Sequence, residues 1–429
     1  MLHKDCGEET AFQVAAQWGR TEVLEKLLEW GNEKLTPDEL KTNLFLFKNE
    51  WQQTAFHIAA QRGKIGVLQK LWEWGNEKLT PEELKNNLFL YKDCEEQTAF
   101  HVAAERGKTQ ALQKLWEWGN EKLTPEELKS NLLLNKDCRE KTAFHVAAEG
   151  GKTEALQKLW EWGNEKLTPE ESKSNLLLNK DCWVQTAFHV AAERGEIQVL
   201  EKLWEWGKEK LAPEELKSNF LLNKDCSEQT AFHVAAQSGK TEVLQKLWEW
   251  STEKLSAEEL NELLLAKDDK NETAFRGAAR SGKTEVLQKV WEWGNEKLTP
   301  EVLKSNLLLY KDGKEQTAFH VAALTGQTEV LQKLWEWGNE ILTPEELKSN
   351  LLLNKDCREQ TAFHVAAEGG KTQLLQKLWE WGNEILTPEE LKSNLLITKT
   401  VENKRPFTFQ QKVAIHMYYR NNGSGVNRN

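Results

Sequence analysis

Several things are missing from this chain. No apolar run approaches the ~18–20 residues needed to cross a bilayer, and the opening Met1-Leu2-His3-Lys4-Asp5-Cys6-Gly7-Glu8 has no greasy core of the kind a secretory leader carries. A membrane-inserted product is therefore not expected. Cationic excess is also missing: 57 Lys+Arg stand against 68 Asp+Glu, a formal net charge of −11, and a nucleic-acid binder needs Lys and Arg in surplus on one face to neutralise phosphates. Cysteine is limited to six residues in 429, with no Cys-x-x-Cys pair. Period-two alternation of apolar and polar residues, the mark of a half-buried strand, is found nowhere in the repeating part. Disorder is not expected either, because charged residues at 29% are accompanied by abundant Leu and by 20 Trp.

What is present is repetition. The tripeptide Thr-Ala-Phe starts at Thr10, Thr54, Thr98, Thr142, Thr186, Thr230, Thr273, Thr317 and Thr361, with spacings of 44 everywhere except 43 between Thr230 and Thr273. A fixed period of this size marks a stacked array whose modules cannot bury their apolar faces alone. Nine repeats occupy residues 2–397. The remainder, 398–429, shares none of the pattern and is basic, and it is expected to be a separate, mobile tail.

The third repeat is the most regular. Thr98 is a good N-cap for a short helix and Gly107 a left-handed stop. A second helix is expected from Lys108 to Trp118, with Leu112, Leu115 and Trp116 on one stripe and Gly119 as another stop. A third short helix starts at Thr124-Pro125-Glu126-Glu127, a capping box with Pro at the first helical position, and Leu128, Leu132 and Leu133 give it one apolar face. The fold class expected is all-α, a solenoid of helix pairs with a third helix in each connection.

Thr-Ala-Phe-His-Val-Ala-Ala, then Gly107, then Leu112, Leu115 and Trp116 before Gly119, resembles the ankyrin repeat, whose motif reads Thr-Pro-Leu-His-x-Ala-Ala. Two departures stand out: Ala99 takes the place of the family's proline, and each repeat is about eleven residues longer than the usual form, the surplus falling between Asn120 and Asn135. The resemblance implies a non-enzymatic scaffold that binds another protein through loop tips and the inner helix face. It also implies a structural role for the histidine of the motif, present as His57, His101, His145, His189, His233, His320 and His364 and replaced by Gln13 and Arg276. Metal binding by this column is excluded by spacing: stacked helices lie ~8–10 Å apart, whereas zinc needs its nitrogens within ~2.1 Å. The same spacing forbids disulfides between Cys6, Cys94, Cys138, Cys182, Cys226 and Cys357, each four residues before its Thr, since bridged Cα atoms lie within ~7 Å. Unpaired thiols favour a reducing compartment, cytoplasmic or nuclear.

Tryptophan is the unusual ingredient, with eight Trp-Glu-Trp pairs ending the second helix. The first ring, as in Trp116, occupies a core position. The second, as in Trp118, is expected to give the inserted leucine segment a surface to dock on. The sixth repeat breaks several rules: Ser251 replaces the glycine, Ala257 replaces the proline and one residue is missing before Leu263, so an irregular junction that bends or loosens is expected over residues 251–277. Gly277-Ala278-Ala279-Arg280-Ser281-Gly282-Lys283-Thr284 satisfies the P-loop pattern, but other repeats carry Val or Ile at the position of Gly277 and continue in the same register, which makes the match accidental.

Differences between repeats collect at two places. Three residues before each Thr stand Trp51, Glu95, Arg139 and Trp183 among others, with Val184 following the last; eight residues after it stand Trp18, Arg62, Arg106 and Arg194. In an ankyrin stack these places correspond to loop tips and inner helix ends, so Trp18, Trp51, Arg62, Arg106, Arg139, Trp183, Val184 and Arg194 are the candidate partner-binding residues. The expected partner is a protein, bound by a monomer, with no nucleic acid, membrane insertion, small-molecule substrate, metal or cofactor. A spacer or elastic tether whose length matters more than its surface is the competing expectation, as is the repeat portion of a larger protein.

Overall fold

The computed structural model describes residues 9–396, so the basic tail lies outside the described residues. The chain gathers into two compact units, Met1–Phe220 and Leu221–Asn429. The first carries the repeats that start at Thr10 through Thr186, the second those that start at Thr230 through Thr361. All the described elements are helical. Within each unit successive repeats pack side by side, first helix on first helix and second on second. This is the all-α, ankyrin-like solenoid expected from the motif.

In the third repeat the first helix spans Ala99–Glu105 and the second Thr109–Lys122. Thr98 caps the first in partnership with His101: the histidine Nδ1 accepts the Thr98 backbone N–H at 3.4 Å and lies 2.9 Å from its hydroxyl. The ring proton is thereby left on Nε2, which donates to the carbonyl of Asn135 at 2.9 Å. One buried side chain thus pins a helix start to the connection that leads into the next repeat. His57, His145, His233 and His320 do the same to Tyr91, Asn179, Ala266 and Asn354. Gln13 reproduces the arrangement, its Oε1 accepting Thr10 N–H at 3.1 Å and its Nε2 donating to the carbonyls of Gln53 at 2.9 Å and Phe47 at 3.3 Å. Arg276 keeps its guanidinium buried by a different route, pairing with Asp312 at 2.7 Å and with Glu272 at 3.6 Å. Glu272 stands where most repeats carry a neutral Gln, and it supplies a carboxylate beside the buried guanidinium.

Three expectations are corrected. Gly107 does close the first helix, with φ 63°, but Gly119 ends nothing: the second helix runs past it to Lys122. It is glycine because the third segment lies against it, and a Cβ there would meet Leu132 Cδ1 at 2.5 Å and Leu128 Cδ1 at 2.9 Å. The leucine face therefore docks on bare backbone. At the equivalent place Ser251 fits inside the helix, buried, with its hydroxyl donating to the carbonyl of Leu247 at 2.7 Å.

The second correction adds a partner to the second tryptophan, whose ring also reaches the repeat before it. Trp118 stacks on Trp72 with ring centroids 4.7 Å apart and planes 11° from parallel, and Phe56 lies 6.2 Å from the Trp118 ring and 6.4 Å from the Trp72 ring. The same trio recurs as Phe100, Trp116 and Trp162, and again as Phe144, Trp160 and Trp206. In the second unit Trp248 stacks on Trp293, Trp291 on Trp337 and Trp335 on Trp381. Trp74, opposite Leu28 rather than a tryptophan, meets Phe45 edge-on at 6.3 Å. The aromatic column is a closed seam between repeats.

The third correction is the sixth repeat. In the 44-residue repeats the third segment begins as a capped turn, Pro125–Leu128, and continues in wide i→i+5 winding over Lys129–Leu133. Such winding accommodates one extra residue, and the buried leucines sit at i, i+4 and i+5: Leu128, Leu132 and Leu133. In the 43-residue repeat the segment is a plain α-helix, Ala257–Leu265, whose buried leucines sit at i, i+3 and i+4: Leu260, Leu263 and Leu264. The missing residue is the bulge residue, so the apolar face survives and no irregular junction forms there. Within the units a lysine at the start of the wide turn reaches the cap glutamate of the next segment, as Lys41 reaches Glu83 at 3.1 Å, Lys85 reaches Glu127, and Lys173 reaches Glu215 at 2.6 Å.

Two predictions follow from the packing. Trp118→Ala removes a ring that is 8% exposed and is expected to cost about 3–5 kcal/mol in urea unfolding, whereas Trp30→Ala, at 51% exposure, is expected to cost under about 1 kcal/mol; equal costs would contradict the seam. The second concerns pH. Burial lowers the pKa of His145 to about 4 and pushes those of His101, His233 and His320 down as well. The unfolded chain therefore takes up these protons first, and stability that is full above about pH 6.5 is lost as pH falls towards 4. The urea midpoint is expected to drop between pH 7.5 and pH 5, and less so in His145→Gln, which copies Gln13; identical profiles would refute the assignment.

Candidate functional site

The loop between repeats is a finger built around one aspartate. In the third repeat Asp93 Oδ1 accepts the backbone N–H groups of Glu95 at 3.0 Å and Gln97 at 2.9 Å, and its backbone N–H donates to the carbonyl of Gln97 at 2.9 Å. Fingers are joined tip to tip: Cys94 N–H donates to the Trp51 carbonyl at 3.0 Å, Cys138 N–H to that of Glu95 at 2.9 Å, and Cys182 N–H to that of Arg139 at 3.0 Å. Below the tips, Gln53 Nε2 donates to Asp93 at 3.0 Å and Gln97 Nε2 to Asp137 at 3.4 Å. The residue three before each Thr thus gives the framework only its backbone groups, the N–H to the finger's own aspartate or asparagine and the carbonyl to the next finger. Its side chain is free to vary, and this is why Trp51, Glu95, Arg139 and Trp183 can stand in one column.

Fingers and first helices of the first unit together line a groove of about 1200 Å³. Five of the eight candidate residues, Trp51, Arg62, Arg106, Arg139 and Arg194, line it, beside Ile58, Val146, Glu105 and Glu149. Trp183 stands at its edge, its ring faced by Lys141 Nζ at 5.2 Å and by the Arg139 guanidinium at 5.9 Å, both from groove residues. Trp18, 64% exposed, shares the column of Arg62 and Arg106 but is not part of the groove wall.

Two groove residues escaped the sequence reading. Lys141, 4% exposed, bonds Glu149 at 2.7 Å, and the same carboxylate takes Arg194 at 2.5 Å. The signal was available, because Lys141 stands where the second, third and fifth repeats carry Gln and the first carries Glu. Burial acts against the Glu149 carboxylate, but the hydrogen bonds from Lys141 and Arg194 outweigh it and hold its pKa below the ordinary value. Glu105, with only the adjacent Arg106 at 3.5 Å, is pushed the other way by burial.

The P-loop match has none of the geometry that chemistry needs. Residues 277–284 cover the end of a helix, Ala274–Ser281, the left-handed Gly282 and the start of the next helix, Thr284–Lys297. A phosphate cradle requires a strand before the glycines, and here a helix leads in.

Val184 is the one strained candidate. Every finger described has a left-handed residue at this place, and Gln52, Glu96 and Glu140 fill it in the first three. A β-branched residue at φ 62° is costly, by roughly 1–2 kcal/mol, and this one is also 37% exposed. Val184→Gly or Val184→Asn is expected to raise stability by about 1 kcal/mol in urea unfolding; destabilisation would show that the side chain is held by contacts the fold requires.

No protein-family model and no curated protein matches the sequence. Among solved structures the chain is similar to the ankyrin repeat domain of human ASB11, at 17% identity and a TM-score of 0.43, over 66% of this chain and 97% of that one. No helix among the described residues is long and apolar enough to cross a membrane. On its own repeat motif and helix pairing, the described residues have an ankyrin-like fold built of long repeats, each with a third helical segment in its connection.

Proposed function

We propose that the chain is a non-enzymatic protein-interaction scaffold and that the groove of the first unit holds a segment of its partner. The observation that carries this is the coincidence of variation and concavity. The repeats are held alike by buried Phe, His and Trp, yet the positions at which they differ most, represented by Trp51, Arg62, Arg106, Arg139 and Arg194, line one groove. Exposed Trp and Arg are also the residue types that most often dominate interface energy. Trp183 and Val184 extend the surface at the groove edge, 41% and 37% exposed.

A photo-crosslinking residue placed at Gln61, on the groove wall, is expected to capture a defined partner in extracts of the native cell, and the same residue at Gln69, on the exposed face of the second helix, is expected not to. Equal capture at both places, or capture at Gln69 alone, would refute the groove as the binding surface.

A further inference from the structure

The charges of the groove divide into those already used and those still available. Asp93 and Asp137 are occupied by backbone N–H groups of their own fingers. Glu149 is occupied by Lys141 and Arg194. By contrast, Arg62 has no carboxylate within ion-pair reach among the described residues, and Arg106 has only its chain neighbour Glu105. Burial raises the pKa of that neighbour. In a protein of net charge −11 the groove therefore presents a short column of available cations.

The column has a spacing. Arg62 and Arg106 occupy the same place in consecutive repeats, so they recur at the helix-packing distance of roughly 8–10 Å. A polyproline-II chain rises about 3.1 Å per residue and repeats its face every third residue, or about 9 Å. A β-strand puts every third residue on the opposite face, and an α-helix advances only about 5 Å per turn, so neither matches the column as directly. Exposed indoles add a second criterion, since aromatic walls are what proline-rich segments dock on. Trp51 is 48% exposed and lines the groove, and Trp183 stands at its edge.

Resting on the binding role argued above, we propose that the groove takes an acidic, proline-rich segment of another protein in polyproline-II conformation, with carboxylates three residues apart meeting Arg62 and Arg106 and proline rings lying on Trp51 and Trp183. Nucleic acid fits less well, because two available arginines are too few to neutralise a run of phosphates, whereas they match a segment that carries one carboxylate in every three residues.

The test is fluorescence anisotropy on the full chain at low ionic strength, with a dye-labelled peptide of Glu-Pro-Pro repeats and a second peptide of the same composition with its glutamates in one block. The periodic peptide is expected to bind about tenfold more tightly than the block peptide. Arg62→Glu with Arg106→Glu, at exposed positions and checked for an unchanged circular dichroism spectrum, is expected to weaken it by about tenfold. Trp51→Ala is expected to weaken it without altering the salt dependence. Absence of binding, equal affinity for the block peptide, indifference to the double charge reversal, or preferential binding of duplex DNA would each overturn the inference. Capture of a partner through Gln61 alongside any of those results would leave the scaffold reading standing and remove only the acidic segment.

Discussion

The aromatic seam between consecutive repeats is the interaction on which the rest depends. At six junctions within the two units one repeat contributes a phenylalanine and the first tryptophan of its pair, and the repeat after it contributes the second tryptophan, which lies flat on that first ring at 4.6–4.8 Å. No single repeat can complete this cluster. The histidine that bonds both its own N-cap and the carbonyl of a later connection acts in the same sense, as do the lysine–glutamate pairs between third segments. Stability of this kind resides in interfaces between neighbours, as expected for a quasi-one-dimensional array.

That arrangement also explains how a variable surface can be carried without cost to the fold. Phe, His and the paired Trp are buried, whereas the finger tips give the framework only backbone groups and the ends of the first helices project into the groove. Substitution at Trp51, Arg139 or Arg62 leaves the seam untouched. Val184 is the exception, since it is exposed yet occupies a left-handed position that a β-branched residue resists.

Much of this was legible in the sequence. The period, the helix caps at Thr98 and Thr124, the left-handed Gly107 and the structural part of the histidines are local signals, and comparison between repeats found the groove residues Trp51, Arg62, Arg106, Arg139 and Arg194. What was not legible depended on another part of the chain. Gly119 within an apolar stripe looks like a stop until the leucines of the third segment are seen against it, and Trp118 looks like support for its own repeat until Trp72 is found beneath it. The wide winding of the third segment was written in the change from i, i+4, i+5 to i, i+3, i+4 when one residue is lost, but its meaning emerges only when the leucines are seen on one buried face. Lys141 was missed because its value to the site lies in Glu149 and, through it, in Arg194.

The most direct test of the central claim is a deletion series taken from the first unit, with one, two, three and four consecutive repeats, unfolded in urea. If neighbours stabilise one another through the seam, a single repeat is unfolded and each added repeat raises the unfolding free energy by a similar increment. A single repeat that folds cooperatively, or a stability that does not change with the number of repeats, would contradict the account.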